Sequence, residues 1–277
     1  KSMTYDLVVA YRIYPKISKI PPAYPHDKYR LSELCLASFK KSLDGLRVKM
    51  YVLLDNCPKE YEELFRNYFD PQDLELIHVE SGGNKNTFRK QIELLSKQHD
   101  SEVVYFAEDD YFYIKDIKNM VDLLKSGQAD FVTPYEHPAC YIDNNHVISN
   151  RVRVFSGQRY VSVQHACLTF MTTRKNLLEN KRYLLIFSDW FGSDFVVWGC
   201  ITLGWSYFKY IRLAFSYKQC TIENCKVFGS MLFFAWHRFI CNKTYHLMMP
   251  IDTFSTHMES NFLAPCINWG EYFKDKN

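Results

Sequence analysis

Four short apolar runs punctuate residues 1–135: Asp6 to Ala10, Val48 to Leu54, Leu74 to Val79 and Val103 to Ala107. Each is continuous rather than alternating, the pattern of a strand buried on both faces. Between the runs the apolar spacing shifts to three and four. Leu31, Cys35, Phe39 and Leu43 recur on one helical face ahead of Gly45. Tyr61, Leu64, Phe65, Tyr68 and Phe69 mark a second helix, and Phe88, Ile92 and Leu95 a third. Strands alternating with helices need right-handed crossovers, so the sequence predicts an α/β fold with a mainly parallel central sheet flanked by helices. The prolines between Tyr14 and Pro25 make that stretch a loop, and Gly82-Gly83-Asn84 reads as a turn.

In such sheets ligands sit beyond the carboxyl ends of the strands. That rule gathers Tyr11-Arg12, Asp55-Asn56 and Glu108-Asp109-Asp110 around one crevice. The acidic triplet carries the most information, because it ends a buried strand and is followed by Tyr111-Phe112-Tyr113. Three adjacent carboxylates held near apolar walls repel one another unless a cation sits among them. Manganese or magnesium, hard ions that take oxygen ligands and bridge phosphates, suit that position. The competing reading is a solvated acidic turn.

After Phe131 to Pro134 the pattern changes. Arg151 to Phe155 and Val161 to Thr172 read as extended, antiparallel segments. Asp194 to Leu203 reads as a buried helix, capped by Ser193 and ended by Gly204, and Ile211 to Tyr217 as a further strand. From residue 227 onward the chain is aromatic and resists assignment.

Composition excludes several classes. A net charge of +3, from 34 basic and 31 acidic residues, is too balanced for a nucleic-acid partner. Arg151, Arg153 and Arg159 are the nearest approach to a basic patch. The nine cysteines lack zinc-site spacing and several lie in apolar runs, so they read as reduced, buried thiols of a cytoplasmic protein. No apolar stretch reaches the roughly 18 residues of a transmembrane segment. Residues 227–241 come nearest, but Trp236, His237 and Arg238 interrupt them. The start shows no secretory pattern, and Lys1-Ser2 before Met3 reads as an appended dipeptide. The expectation is a soluble protein.

A parallel-sheet start, an Asp after the second strand and a short acidic motif at a later strand end together resemble the glycosyltransferases of the GT-A fold. Their acidic signature is Asp-x-Asp, of which Glu-Asp-Asp is a variant. The likeness covers residues 1–135 as an arrangement, and only the triplet is specific as a motif. It implies a GT-A-like architecture: a nucleotide-sugar-binding half, 1–135, and a mixed α+β acceptor-binding and catalytic half, 136–277, in one compact unit. It further implies Asp110 as the direct metal ligand, Glu108 facing the ribose, and Asp109 against the donor sugar or a metal-bound water. Ala10, Tyr11 and Arg12 would line the base pocket, with Tyr11 stacking or Arg12 bonding to the base. Asp55 would accept from the base or ribose, and Arg89 would reach the diphosphate.

An inverting sugar transfer needs a carboxylate that removes the acceptor hydroxyl's proton. The segment Phe187 to Gly199 offers Asp189 and Asp194, and Asp194 is preferred because it opens a helix, as the base of inverting GT-A enzymes does. Trp190 and Trp198 are either a platform for the acceptor sugar or core. A late histidine reaches the ion in several GT-A enzymes, and His257 is similar in position, with His165 and His237 as rivals. An imidazole ligand favours manganese over magnesium. The expected activity is transfer from a nucleotide diphosphate sugar, UDP-linked by preference, to a glycan or glycolipid hydroxyl, as in surface-polysaccharide biosynthesis. The alternatives are a retaining transfer, a sugar-1-phosphate nucleotidyltransferase and a non-catalytic carbohydrate-binding protein. Tyr11 to Pro15 holds no glycine, which argues against the nucleotidyltransferase.

Overall fold

The computed structural model describes residues 4–80, 82–142, 152–216 and 221–274. The chain begins β1 (Leu7–Ile13), α1 (Lys28–Ser42), β2 (Val48–Asp55), α2 (Glu60–Arg66), β3 (Leu74–Val79), α3 (Gly83–Lys97) and β4 (Val103–Glu108). These strands lie side by side in the order β3-β2-β1-β4, all parallel. Alternation along β1 decides which helix covers which residue. Leu7, Val9, Tyr11 and Ile13 share an apolar cluster with Phe39 of α1, whereas Val8 and Ala10 share one with Phe88 and Ile92 of α3. With both faces covered, apolar residues are needed at successive positions, hence the continuous run. Asp27 caps α1 by accepting the Arg30 amide at 3.0 Å.

The second part runs β5 (Tyr111–Tyr113), α4 (Lys118–Lys125), β6 (Phe131–Val132), α5 (Ala139–Ile142), β7 (Val152–Phe155), β8 (Gln158–Val163), β9 (Phe170–Thr173) and α6 (Arg174–Ile186). A π-helical turn at Phe187–Phe191 leads to α7 (Asp194–Thr202), α8 (Ser206–Ser216), α9 (Ile222–Cys241), β10 (Leu247–Pro250), β11 (Ser255–His257) and α10 (Trp269–Phe273). The main sheet continues from β4 through β9, β6, β10, β8 and β7. Among the described residues only β9 and β8 oppose the others, so seven of the nine strands point the same way. The α/β, mainly parallel expectation holds. A separate antiparallel ribbon joins β11 to β5.

Local expectations change in four places. Val161 to Thr172 is two strands, since β6 and β10 lie between β9 and β8 and the chain must cross them. Ile211 to Ser216 is helical, within α8, and Tyr217 lies outside the described residues. A short apolar window does not separate strand from helix; here Tyr207 stacks on Phe239 of α9 at 4.1 Å and fixes the helical arrangement. Gly83 and Asn84 open α3 rather than forming a free turn. Ser193 precedes α7 without a side-chain capping bond. The unassigned stretch from residue 227 begins in α9, where Met231, Ala235 and Phe239 recur every four residues on a buried stripe, and continues through β10, β11 and α10.

No basic patch forms among the described residues of the expected cluster. Arg153 donates to the Gln128 carbonyl at 2.6 Å and Arg159 pairs with Asp252 at 2.8 Å. Arg151 and Cys220 lie outside the described residues.

Candidate functional site

Parallel pairing brings the ends of β1 and β4 level, with Arg12 opposite Glu108. The Arg12 guanidinium donates to the Glu108 carboxylate, to the Asn84 side chain and, at 3.0 Å, to the Asn84 carbonyl. Thr169, just before β9, donates to the other Glu108 oxygen at 2.7 Å. One residue on, Asp109 receives Lys28 of α1 at 2.7 Å and the Tyr14 amide at 3.2 Å. Burial lifts the Asp109 carboxyl and Lys28 offsets only part of this, so the net direction is up. Burial likewise works against the Lys28 ammonium, but Asp109 outweighs it and drives that group up. A 2.7 Å contact is ion-pair geometry, and we take the pair as charged. Lys28 was not among the residues singled out from the sequence.

Asp110 is held differently. The β5–β11 ribbon sets His257 opposite Tyr111, and the Met258 amide donates to the Asp110 carbonyl at 2.7 Å. This register delivers His257 Nε2 to within 3.0 Å of Asp110 Oδ2, while Nδ1 lies 3.6 Å from Glu259. Burial pushes the Asp110 carboxyl up, but the His257 charge and hydrogen bond, with Lys28 and Arg12 behind, hold it at about 2. Burial depresses the His257 imidazole, and Asp110, with Glu108 and Glu259 farther out, more than reverses this, so the net direction is up. The second carboxylate oxygen, Asp110 Oδ1, is buried and has no hydrogen-bond partner among the described residues.

An ionised carboxylate with an open buried oxygen beside an imidazole is a donor set that suits a divalent cation. Among the described residues no group of three or more His, Cys, Asp or Glu side chains is placed to hold a metal. A cation here would therefore complete its shell with water or phosphate oxygens, as magnesium commonly does. Asp110 and His257 fit such an ion.

Asp194 opens α7, and its Oδ1 accepts the Phe195 amide at 2.8 Å. Burial pushes the Cys167 thiol up, and the charges of Asp194, Glu108 and Asp110 add to it. The His165 ring stacks on Phe195 of α7 at 3.9 Å.

Other sequence candidates sit elsewhere. Tyr11 does not face the crevice: its ring is 1% exposed, between Phe39 and Phe65, because alternation turns it toward α1. Ala10 is fully buried, with its carbonyl taken by the Gln91 amide at 2.7 Å. Asp55 accepts the Gly82 and Gly83 amides at 3.0 and 2.8 Å, so its carboxylate anchors the start of α3. Arg89 and Asp189 pair with each other at an exposed rim between α3 and the π-helical turn. Trp198 is core, wedged against Phe131 and Phe170, whereas Trp190 is exposed. His237 lies apart, between Arg182 and Tyr183.

No family model and no curated protein matches the chain. Among solved structures the chain is similar to S. aureus TarS 1-349, at 14% identity and a TM-score of 0.38, over 63% of this chain and 49% of that one. The same protein in complex with UDP gives 14% identity, a TM-score of 0.40, and 66% and 54% coverage. The galactosyltransferase LgtC, in complex with donor and acceptor sugar analogues, gives 8%, 0.40, and 64% and 63%. The matched part thus spans 49% to 63% of those chains. Likenesses this partial leave every residue role to be argued from the site itself. The strand order and directions described above are those of an α/β fold with a mainly parallel sheet.

Proposed function

We propose that this chain transfers a sugar from a nucleotide diphosphate sugar to a hydroxyl acceptor, with a divalent cation held by Asp110 and His257. The observation that carries this reading is the open, buried Asp110 Oδ1 beside His257, at the end of a parallel strand where ligands of such sheets bind. A bound manganese or magnesium would supply charge stabilisation to the departing diphosphate, and the imidazole favours manganese. The protein's own part is positioning. Arg12 and Lys28 fix Glu108 and Asp109, so these carboxylates form the rigid floor of the crevice and Glu108 remains the candidate for the ribose. Arg89, in an exposed ion pair with Asp189, is the cation proposed to exchange that carboxylate for a phosphate.

Asp194 is the proposed general base. The role is assigned to it because a carboxylate at the start of α7, whose Oδ1 accepts the Phe195 amide, can take up the proton of an acceptor hydroxyl. Acceptance of the acceptor hydroxyl's proton at Asp194 corresponds to an inverting transfer to a glycan or glycolipid; a retaining transfer would make it an acceptor contact. The anomeric configuration of the product, read by NMR, decides between them.

The test is a panel of nucleotide sugars, UDP-linked first, with manganese, scored for released nucleotide. Asp110→Asn is expected to abolish metal-dependent donor binding, and Asp194→Asn to keep donor binding while losing transfer. Full manganese-dependent binding by Asp110→Asn would remove the proposed site.

A further inference from the structure

The helix α9 is apolar on two opposite sides. Its inner stripe, Met231, Ala235 and Phe239, is buried, and between them Arg238 donates to Asn180 at 2.8 Å. Its outer stripe is equally apolar yet open: Phe233 is 72% exposed, Trp236 54% and Ile240 62%. The neighbouring α8 extends the same surface with Phe208, and Trp205 ahead of it donates its indole N–H to the Ile240 carbonyl at 3.1 Å. At the other edge Phe234 meets Trp190 of the π-helical turn at 5.5 Å. A helix apolar on all sides belongs under cover, and a contiguous exposed aromatic surface marks an interaction site.

The charges on these helices indicate what provides the cover. Along the outer row Lys226, Phe233 and Ile240 recur every seven residues, placing an exposed ammonium in line with the exposed rings. Lys209 and Arg212 are exposed on α8. Against the exposed Lys209, Arg212 and Lys226, the two helices carry one acidic residue, Glu223, while Arg238 is turned inward. Tryptophan and phenylalanine flanked by lysine and arginine match the interface of an anionic bilayer, where rings enter the headgroup boundary and cations meet lipid phosphates. Among the described residues no helix is long and apolar enough to cross a membrane, so the contact is made lying on the surface.

We propose that the outer face of α8 and α9 is a membrane-docking surface that lies against an anionic lipid bilayer. It is a property of this face and does not depend on the sugar-transfer reading. The experiment is co-sedimentation of the full chain with vesicles of phosphatidylcholine alone or mixed with phosphatidylglycerol. The chain is expected to pellet with the anionic vesicles and to stay in solution with the neutral ones. Phe233→Ser/Trp236→Ser should lower the partition coefficient roughly tenfold or more with an unchanged circular dichroism spectrum. Lys209→Glu/Lys226→Glu, which leaves the rings in place, should weaken binding to anionic vesicles alone. Failure to pellet with anionic vesicles, equal uptake on neutral ones, or undiminished binding by both double variants would overturn the proposal. So would a dimer in solution that Phe233→Ser/Trp236→Ser dissociates in the absence of any vesicle binding, because it would assign the face to a second copy of the chain.

Discussion

Asp109 keeps its charge beneath the crevice because Lys28, far earlier in the chain, reaches it at 2.7 Å. The two side chains are only 11% and 13% exposed, so neither charge is left to water. Lys28→Met should strand a buried carboxylate and lower stability by about 3–5 kcal/mol, read as a shifted midpoint in urea. Lys28→Met/Asp109→Asn should recover most of that loss; a double variant as unstable as the single one would show the pair to be incidental. The sequence revealed the triplet because its three acids are consecutive, and a lysine at the first position of a helix looks like any surface residue. Tyr11 was misplaced for a different reason. Its distance from the crevice is short along the chain, but it shares the parity of Leu7 and Val9, and strand alternation turns that parity toward α1. That signal was present in the sequence.

The start of α3 shows how one element is set by another. Asp55, at the end of β2, accepts two amides there, and a Cβ on Gly82 would stand 2.6 Å from Val79 Cγ1. Asp55→Ala leaves those amides without their acceptor and should cost about 1–3 kcal/mol in urea unfolding. Gly82→Ala, which crowds the same junction, should be destabilising by a comparable ~1–3 kcal/mol. No measurable change for either would mean the helix start is held by other contacts. Asp130, just before β6, plays the same anchoring part for β10: it accepts the His246 amide at 2.7 Å. Burial raises its carboxyl, and the His246 hydrogen bonds outweigh that, so its folded pKa is lowered. A depressed carboxyl stabilises above its unfolded pKa, about 3.9, and that stability disappears as pH falls through the folded value. The stability gap between the wild type and Asp130→Asn should therefore narrow on acidification, and a gap constant with pH would exclude the carboxylate as its source. β1 to β4 and α1 to α3 were legible because each strand is a continuous apolar run and each helix shows its period, whereas the short β5 and α4 went unread; α9 was not legible, since an apolar outer face erases the contrast on which periodicity depends.

Across the whole molecule the division into 1–135 and 136–277 expected from the sequence does not coincide with the way the sheet is built. From the second half, β9 inserts between β4 and β6, and β10 flanks β6 on its other side. A cut after residue 135 would strip β6 of both neighbours and leave β4 with an open apolar edge. The same cut removes β11, which pairs with β5 and brings His257 to Asp110. These pairings join segments far apart in sequence, which no local pattern announces, and that is why the second half of the fold and the histidine were harder to read than the first four strands. Residues 1–135 expressed alone should therefore not fold as a unit. Open edges and unburied apolar faces should give a fragment that binds a hydrophobic dye and melts without a cooperative transition, while the full chain unfolds in one. Adding 136–277 should restore cooperativity, because each piece supplies the strands the other lacks. A sharp melting transition in the isolated first fragment would show that β3-β2-β1-β4 is self-sufficient, and the nine-stranded sheet would then be two folding units joined at the β4–β9 pair.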